Sequence, residues 1–238
     1  MTMDEFISQL GTKQTAELGK YETHCEKHGR FVEAHHSGKC MQCRDAELAA
    51  SKKQRLEAQK IQALNDIGYG LIYRSAELIP LNDHQSNVVA ELTRISVLDR
   101  HNIPNIILSG KSGTGKTHLS AALSFAFASR GLSVKYVKFY SLLDMKINEY
   151  KDFKKMLSKD VLIIDEFGAA DNVHKSALMH EIVDWRYDNQ LSTILLTNLT
   201  PHEAAKQMND AMYSRLKSNI KTLTLAGNDL RNPIGIQL

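Results

Sequence analysis

Three groups of residues in this chain have the types and spacings that chemistry needs. The first is Gly110-Lys111-Ser112-Gly113-Thr114-Gly115-Lys116-Thr117, which matches G-x-x-x-x-G-K-[ST], a phosphate-binding P-loop. The apolar run Ile106-Ile107-Leu108 leads into it, and Leu119, Ala122, Leu123, Ala126 and Phe127 lead out at helical spacing. That is the strand, loop and helix the motif requires. Its glycines let the backbone curl with N–H groups inward, and the helix N-terminus adds partial positive charge, so phosphate oxygens are held. Lys116 would reach the β- and γ-phosphates, and the Thr117 hydroxyl would hold Mg²⁺.

The second group lies at the ends of two other apolar runs. Asp165-Glu166 follows Val161-Leu162-Ile163-Ile164, and Asn198 follows Thr193-Ile194-Leu195-Leu196-Thr197. Ligands collect at the carboxyl ends of strands in open α/β sheets, so these residues should converge with the P-loop. Asp165 suits a Mg²⁺-binding role beside Thr117, and Glu166 suits a general base acting on water. Asn198 would orient water or the γ-phosphate; its plainer role is to cap the helix expected from Pro201. No Asn-Lys-x-Asp sequence offers guanine selectivity, so ATP is the expected nucleotide.

The third group is Cys25-x2-His28-x11-Cys40-x2-Cys43, which uses every cysteine in the chain. Each two-residue gap lets a turn present two donors to one ion, and the intervening loop closes a tetrahedron. The expected ion is structural Zn²⁺, because four protein ligands leave no open position. His28 has the offset of a fourth ligand; His24, His35 and His36 are the other candidates. Few residues surround the cluster, so metal binding would supply its folding energy. Its balance of Lys27, Arg30 and Lys39 against Glu26 and Glu33 favours protein docking over nucleic acid.

The elements that must position these groups follow from pattern. Residues 1–20, polar with Phe6, Ile7, Leu10 and Leu18 among them, fit either a short docking helix or an unstructured arm. Arg44 to Asp66 is rich in Ala, Glu, Lys, Gln and Leu without Gly or Pro, and reads as a solvated connecting helix. Beyond Gly68 and Gly70, helical stretches (84–100, 116–130, 141–157, 174–189, 201–216) alternate with strands (105–109, 133–139, 161–164, 193–197, 220–225). Such alternation means a parallel sheet with helices on both faces. A hydrophobic fraction of 42% is enough for a core, and the net charge of +3 permits a nucleic-acid partner without requiring one. No apolar run approaches the roughly 18 residues of a membrane span. The first residues lack the apolar stretch of a secretory signal. A cytoplasmic protein without a membrane partner is expected.

In order and spacing these motifs resemble the AAA+ ATPases of the DnaC/DnaI bacterial replicative helicase-loader family. Val161-Leu162-Ile163-Ile164-Asp165-Glu166-Phe167-Gly168 is similar to that family's Walker B stretch, and Leu195-Leu196-Thr197-Asn198 to its sensor 1 strand. Asp210-Ala211-Met212-Tyr213-Ser214-Arg215-Leu216 is similar to its box VII and gives Arg215 the arginine-finger place on a neighbouring subunit's ATP. By pattern alone Arg215 reads as a solvated helix residue. Asn228-Asp229-Leu230-Arg231 is similar to the end of the family's ATPase domain, with Arg231 in the sensor 2 place.

The resemblance covers about residues 67–238. It implies an α/β fold: an AAA+ P-loop NTPase core with a parallel five-stranded sheet and no C-terminal lid domain, since the chain stops soon after strand 220–225. The domains expected are a helicase-docking zinc module at 1–44, a linker helix at 45–68 and an AAA+ ATPase domain at 69–238. The implied activity is ATP hydrolysis to ADP and phosphate by Lys116, Asp165, Glu166, Asn198 and Arg215. The implied role is to bind a hexameric DnaB-type replicative helicase and deliver it to single-stranded DNA during replication initiation. The ATPase domains would self-associate when helicase-bound. Single-stranded DNA would run along a segment holding Lys135, Lys138, Tyr140, Lys146, Lys151, Lys154 and Lys155, whose charge Asp144, Glu149 and Asp152 dilute. Transposition helper ATPases of the IstB type share nearly all these motifs, and an ATP-gated adaptor with little turnover is a further alternative.

Overall fold

The computed structural model describes residues 21–33, 40–168, 173–208 and 210–230. The arm at 1–20 lies outside them. The chain divides into two compact units, Met1–Ala58 and Gln59–Leu238.

In the first unit, β1 (Tyr21–Cys25) and β2 (Gly29–Glu33) form an antiparallel hairpin, with Cys25 opposite Gly29 at its closed end. Gly29 has φ 81°, a left-handed conformation that a side chain would strain. Helix α1 (Met41–Ile67) starts in this unit. It begins three residues before the helix expected from composition, which places Cys43 in its first turn. At its far end Gly68 (φ 117°) stops it, and the N–H groups of Gly68 and Tyr69 both donate to the Leu64 carbonyl.

The second unit holds, in chain order, α2 (Ser86–Ser96), β3 (Asn105–Gly110), α3 (Lys116–Ser129), β4 (Val134–Lys138), α4 (Leu142–Asn148), α5 (Tyr150–Leu157), β5 (Val161–Phe167), α6 (Val173–Asp188), β6 (Ser192–Thr197), α7 (Pro201–Gln207), α8 (Asp210–Lys217) and β7 (Ile220–Leu225). The strands make one parallel sheet in the order β4-β5-β6-β3-β7. Strand β6 therefore lies between the P-loop strand β3 and the acid-bearing strand β5.

At the central strands β5, β6 and β3 both faces of the sheet are dry, which explains their unbroken apolar runs. Val161, Ile163, Ile194, Leu196, Ile106 and Leu108 join one apolar layer with α2 and α3. Their neighbours Leu162, Ile164, Leu195 and Ile107 join the opposite layer with α5 and α6. Buried Arg186 on α6 ties that layer to the sheet. Its guanidinium donates to the carbonyls of Leu157 (2.7 Å), Lys159 (3.0 Å), Asp160 (3.4 Å) and Ser192, and to Thr193 Oγ1 (3.0 Å). Burial pulls its pKa below the ordinary guanidinium value.

Three elements differ from the periodicity reading. The helix expected at 84–100 is a 3-10 turn (Asp83–Gln85) followed by the shorter α2. The single helix expected from Pro201 to Leu216 is two, because Met208 turns extended (φ −86°, ψ 136°) and sinks its side chain into the core. Strand β5 runs on past Ile164 to Phe167, so the two acids lie within it.

Candidate functional site

The P-loop leaves β3 at Gly110 and delivers the chain to α3 through Gly113 (φ 77°) and Gly115 (φ 90°). At Gly113 the left-handed φ would strain any side chain, and a Cβ atom would lie 1.9 Å from Asp229 Oδ1 and force that carboxylate to move. The first residue of α3 is Lys116. Its Nζ donates to the carbonyls of Gly110 (2.6 Å) and Lys111 (2.8 Å) and to Asn198 Oδ1 (2.8 Å). Asn198 stands just beyond the end of β6 and thus meets the P-loop lysine directly. The helix at Pro201 has a different cap: Thr200 and Glu203 form a reciprocal capping box.

Asp165 and Glu166 reach the site through an irregularity in β5. Ile164 pairs with Leu195 and Phe167 with Thr197, so two residues of β5 oppose one of β6. This β-bulge, with Glu166 at φ 61°, re-aims the pair so that both acids border one cleft. Asp165 is buried, and its Oδ2 accepts from Thr117 Oγ1 (2.9 Å) and Tyr136 Oη (2.8 Å), while Oδ1 accepts from the Glu166 N–H (2.7 Å). Glu166 is half exposed and lies 3.5 Å from Lys138 Nζ. The Glu166 charge lifts the Lys138 pKa above its usual value. Burial, and then the Asp165 charge, raise that of Tyr136.

These residues line a cleft of about 540 Å³. Lys116, Thr117, Asp165, Glu166 and Asn198 give it a polar lining, and Ile72, Tyr73, Leu81 and Leu230 an apolar one. The mixed lining suits a ligand with both an anionic and an apolar part. The paired hard oxygens of Thr117 and Asp165 suit Mg²⁺. Gln85 braces the rim: fully buried, it accepts from the Leu81 N–H and donates to the Thr114 carbonyl, both at 2.9 Å. Gln85 and the Tyr136 hydroxyl carry no sequence signal, since one lies in a polar run and the other occupies an apolar strand position.

Arg215 does not line this cleft. It sits on α8, where its Nε pairs with Asp184 Oδ1 at 2.8 Å. Arg231 lies outside the described residues. The basic segment is divided: Lys138 Nζ stands 5.6 Å from the Tyr140 ring, Lys154 Nζ 5.6 Å from that of Tyr150, and Lys146 pairs with Glu181.

In the first unit, one donor atom each from Cys25, His28, Cys40 and Cys43 lies within 4.8 Å of all the others. Cys25 Sγ is 3.7 Å from Cys43 Sγ, and His28 Nδ1 is 3.2, 3.4 and 3.6 Å from the sulfurs of Cys40, Cys43 and Cys25. A tetrahedral ion with sulfur at about 2.3 Å spaces its sulfurs about 3.8 Å apart, so the cluster fits one. His35 and His36 lie outside the described residues, as does the side chain of His24. Cys25 is drawn down to about 6, first by a backbone N–H bond from Lys27, and Cys43 is pushed up to about 11, first by its contact with Cys40.

The family model described as IstB-like ATP binding protein matches residues 45–233. Replicative helicase loader DnaC of Escherichia coli K12 is 28% identical over 125 residues, 49% of this chain and 51% of its own length. The insertion sequence IS232 putative ATP-binding protein of Bacillus thuringiensis subsp. berliner is 32% identical over 108 residues, 40% of each. The chain thus spans about half the length, or less, of these curated relatives. The crystal structure of the DnaC helicase loader superposes with a TM-score of 0.60 at 21% identity, over 66% of this chain and all of that one. The shared fold is therefore that of the DnaC loader. Among the described residues, no helix is long and apolar enough to cross a membrane.

Proposed function

The chain belongs to the IstB-like ATP-binding protein family, and from that premise we propose that it is an ATPase that loads a hexameric DnaB-type replicative helicase onto single-stranded DNA. The observation that carries the hydrolytic part is the meeting of three distant segments in one cleft: Lys116 with Asn198, and Thr117 with Asp165 and its neighbour Glu166.

In this reading the β- and γ-phosphates lie along the P-loop N–H groups and the Lys116 ammonium. Thr117 and Asp165 would hold Mg²⁺, which neutralises charge between the two phosphates when bound. Glu166 takes the proton of the attacking water, and Asn198 holds that water or the γ-phosphate in line. The adenine lies towards Ile72, Tyr73 and Leu81. Arg215, directed away from its own cleft, acts on the ATP of a neighbouring subunit after leaving Asp184. The Cys₃His cluster holds structural Zn²⁺ and forms part of the helicase-docking module, and the Lys138–Tyr140 edge contacts DNA. The names of the DnaC relatives support the helicase as partner.

Glu166→Gln should lower ATP turnover by about 10²–10⁴-fold while leaving nucleotide affinity intact. Equal turnover would remove the role given to Glu166. Co-purification of the full chain with a hexameric replicative helicase tests the partner, and a Cys40→Ser chain should lose the complex. The family match and the insertion-sequence relative favour a second reading, a transposase helper with the same chemistry. Capture of a transposase in place of the helicase would select it.

A further inference from the structure

Tyr136 stands in a chain of contacts that starts and ends on the P-loop helix. Its ring is buried in β4 and stacks on Tyr69, with centroids 4.1 Å apart and planes at 28°. The Tyr69 hydroxyl donates to Ser120 Oγ on α3 (2.9 Å) and lies 3.2 Å from Ser124 Oγ. The Tyr136 hydroxyl donates to Asp165 Oδ2, the oxygen that also takes the Thr117 hydroxyl. From α3 the path thus runs through Tyr69, Tyr136 and Asp165 back to Thr117.

We propose that Tyr136 is a positioning residue for Mg²⁺, one whose hydroxyl holds Asp165 in the rotamer that presents it to the ion together with Thr117. The proposal rests on the nucleotide-site reading above. Three donors specify the Asp165 carboxylate completely: two hydroxyls fix Oδ2, and the Glu166 N–H fixes Oδ1. A carboxylate this buried holds its direction only while its oxygens are hydrogen-bonded. Removing one donor frees the side chain to rotate, which loosens the ion. The division of labour is clean, because the ring fills space against Tyr69 while the hydroxyl alone meets the acid.

Tyr136→Phe keeps the ring and deletes the donor. A fluorescent ATP analogue titrated onto the full chain, in EDTA and across a series of MgCl₂ concentrations, reads the ion's contribution apart from turnover. Partners behind a metal ligand are typically worth 10–100-fold in metal affinity, so the variant should need about tenfold more Mg²⁺ for half-maximal tightening. Its affinity in EDTA and its melting temperature should match the parent's. A variant with the parent's Mg²⁺ requirement, or one weakened equally in EDTA, overturns the proposal. A parent protein whose binding ignores Mg²⁺ overturns the nucleotide-site reading, and this proposal with it.

Discussion

The Cys/His unit and the ATP-site unit solve the problem of holding side chains in place by opposite means. In the first, four donors from a strand end, a turn, a pre-helical residue and a helix's first turn crowd around one point. In the second, two apolar layers fix a five-stranded sheet, and the functional side chains stand on strand and helix ends. The first arrangement would depend on a single ion if the cluster binds one, and the second distributes its stability over many contacts. One should therefore fail all at once and the other by degrees.

The largest effect expected is on the first unit. Removing the metal with a chelator, or replacing Cys40 with Ser, should abolish the protection of the 21–33 hairpin in hydrogen exchange. The calorimetric transition of the second unit should persist. Loss of both transitions together would break the comparison. Arg186→Leu comes next, because it orphans several buried carbonyl oxygens at once. It should cost about 3–5 kcal/mol in denaturant unfolding, yet leave the cysteine cluster's metal content unchanged. Lys116→Ala should weaken nucleotide binding about 100-fold by equilibrium titration with almost no change in melting. Thr200→Ala removes one half of the α7 capping box and should cost about 1 kcal/mol. A loss above about 3 kcal/mol there would mean that the second unit also has a single point of failure.

The residues that line the candidate site and the Cys/His cluster stood out in the sequence because their motifs are local. A P-loop is eight consecutive residues, and the candidate metal ligands come in two pairs, each with a two-residue gap. The central strands were legible because burial on both faces leaves unbroken apolar runs such as Val161–Ile164, and the outer strands β4 and β7 because apolar residues recur between polar ones. The contacts that refine the site are between residues far apart in the chain, and no local pattern records them. Gln85 meets Thr114, Tyr136 meets Asp165, and Asn198 meets Lys116 only once the sheet order is set. The break at Met208 was hidden for another reason. Helix propensity favours continuity through 201–216, but the core's demand for one more buried side chain overrides it.

The extra residue in β5 gives the two acids a shared dependence on register. Along a regular strand, neighbours in sequence are strangers in space, each addressing its own side of the sheet. The bulge cancels that rule for one step and makes Asp165 and Glu166 cooperate. A one-residue slip or deletion there would restore ordinary alternation and separate Asp165 from Glu166, and with them the two roles proposed above. The sheet would keep its strands and its dry interior. Such a lesion would escape any assay of folding and would show itself only as an ATP site that binds and does not turn over.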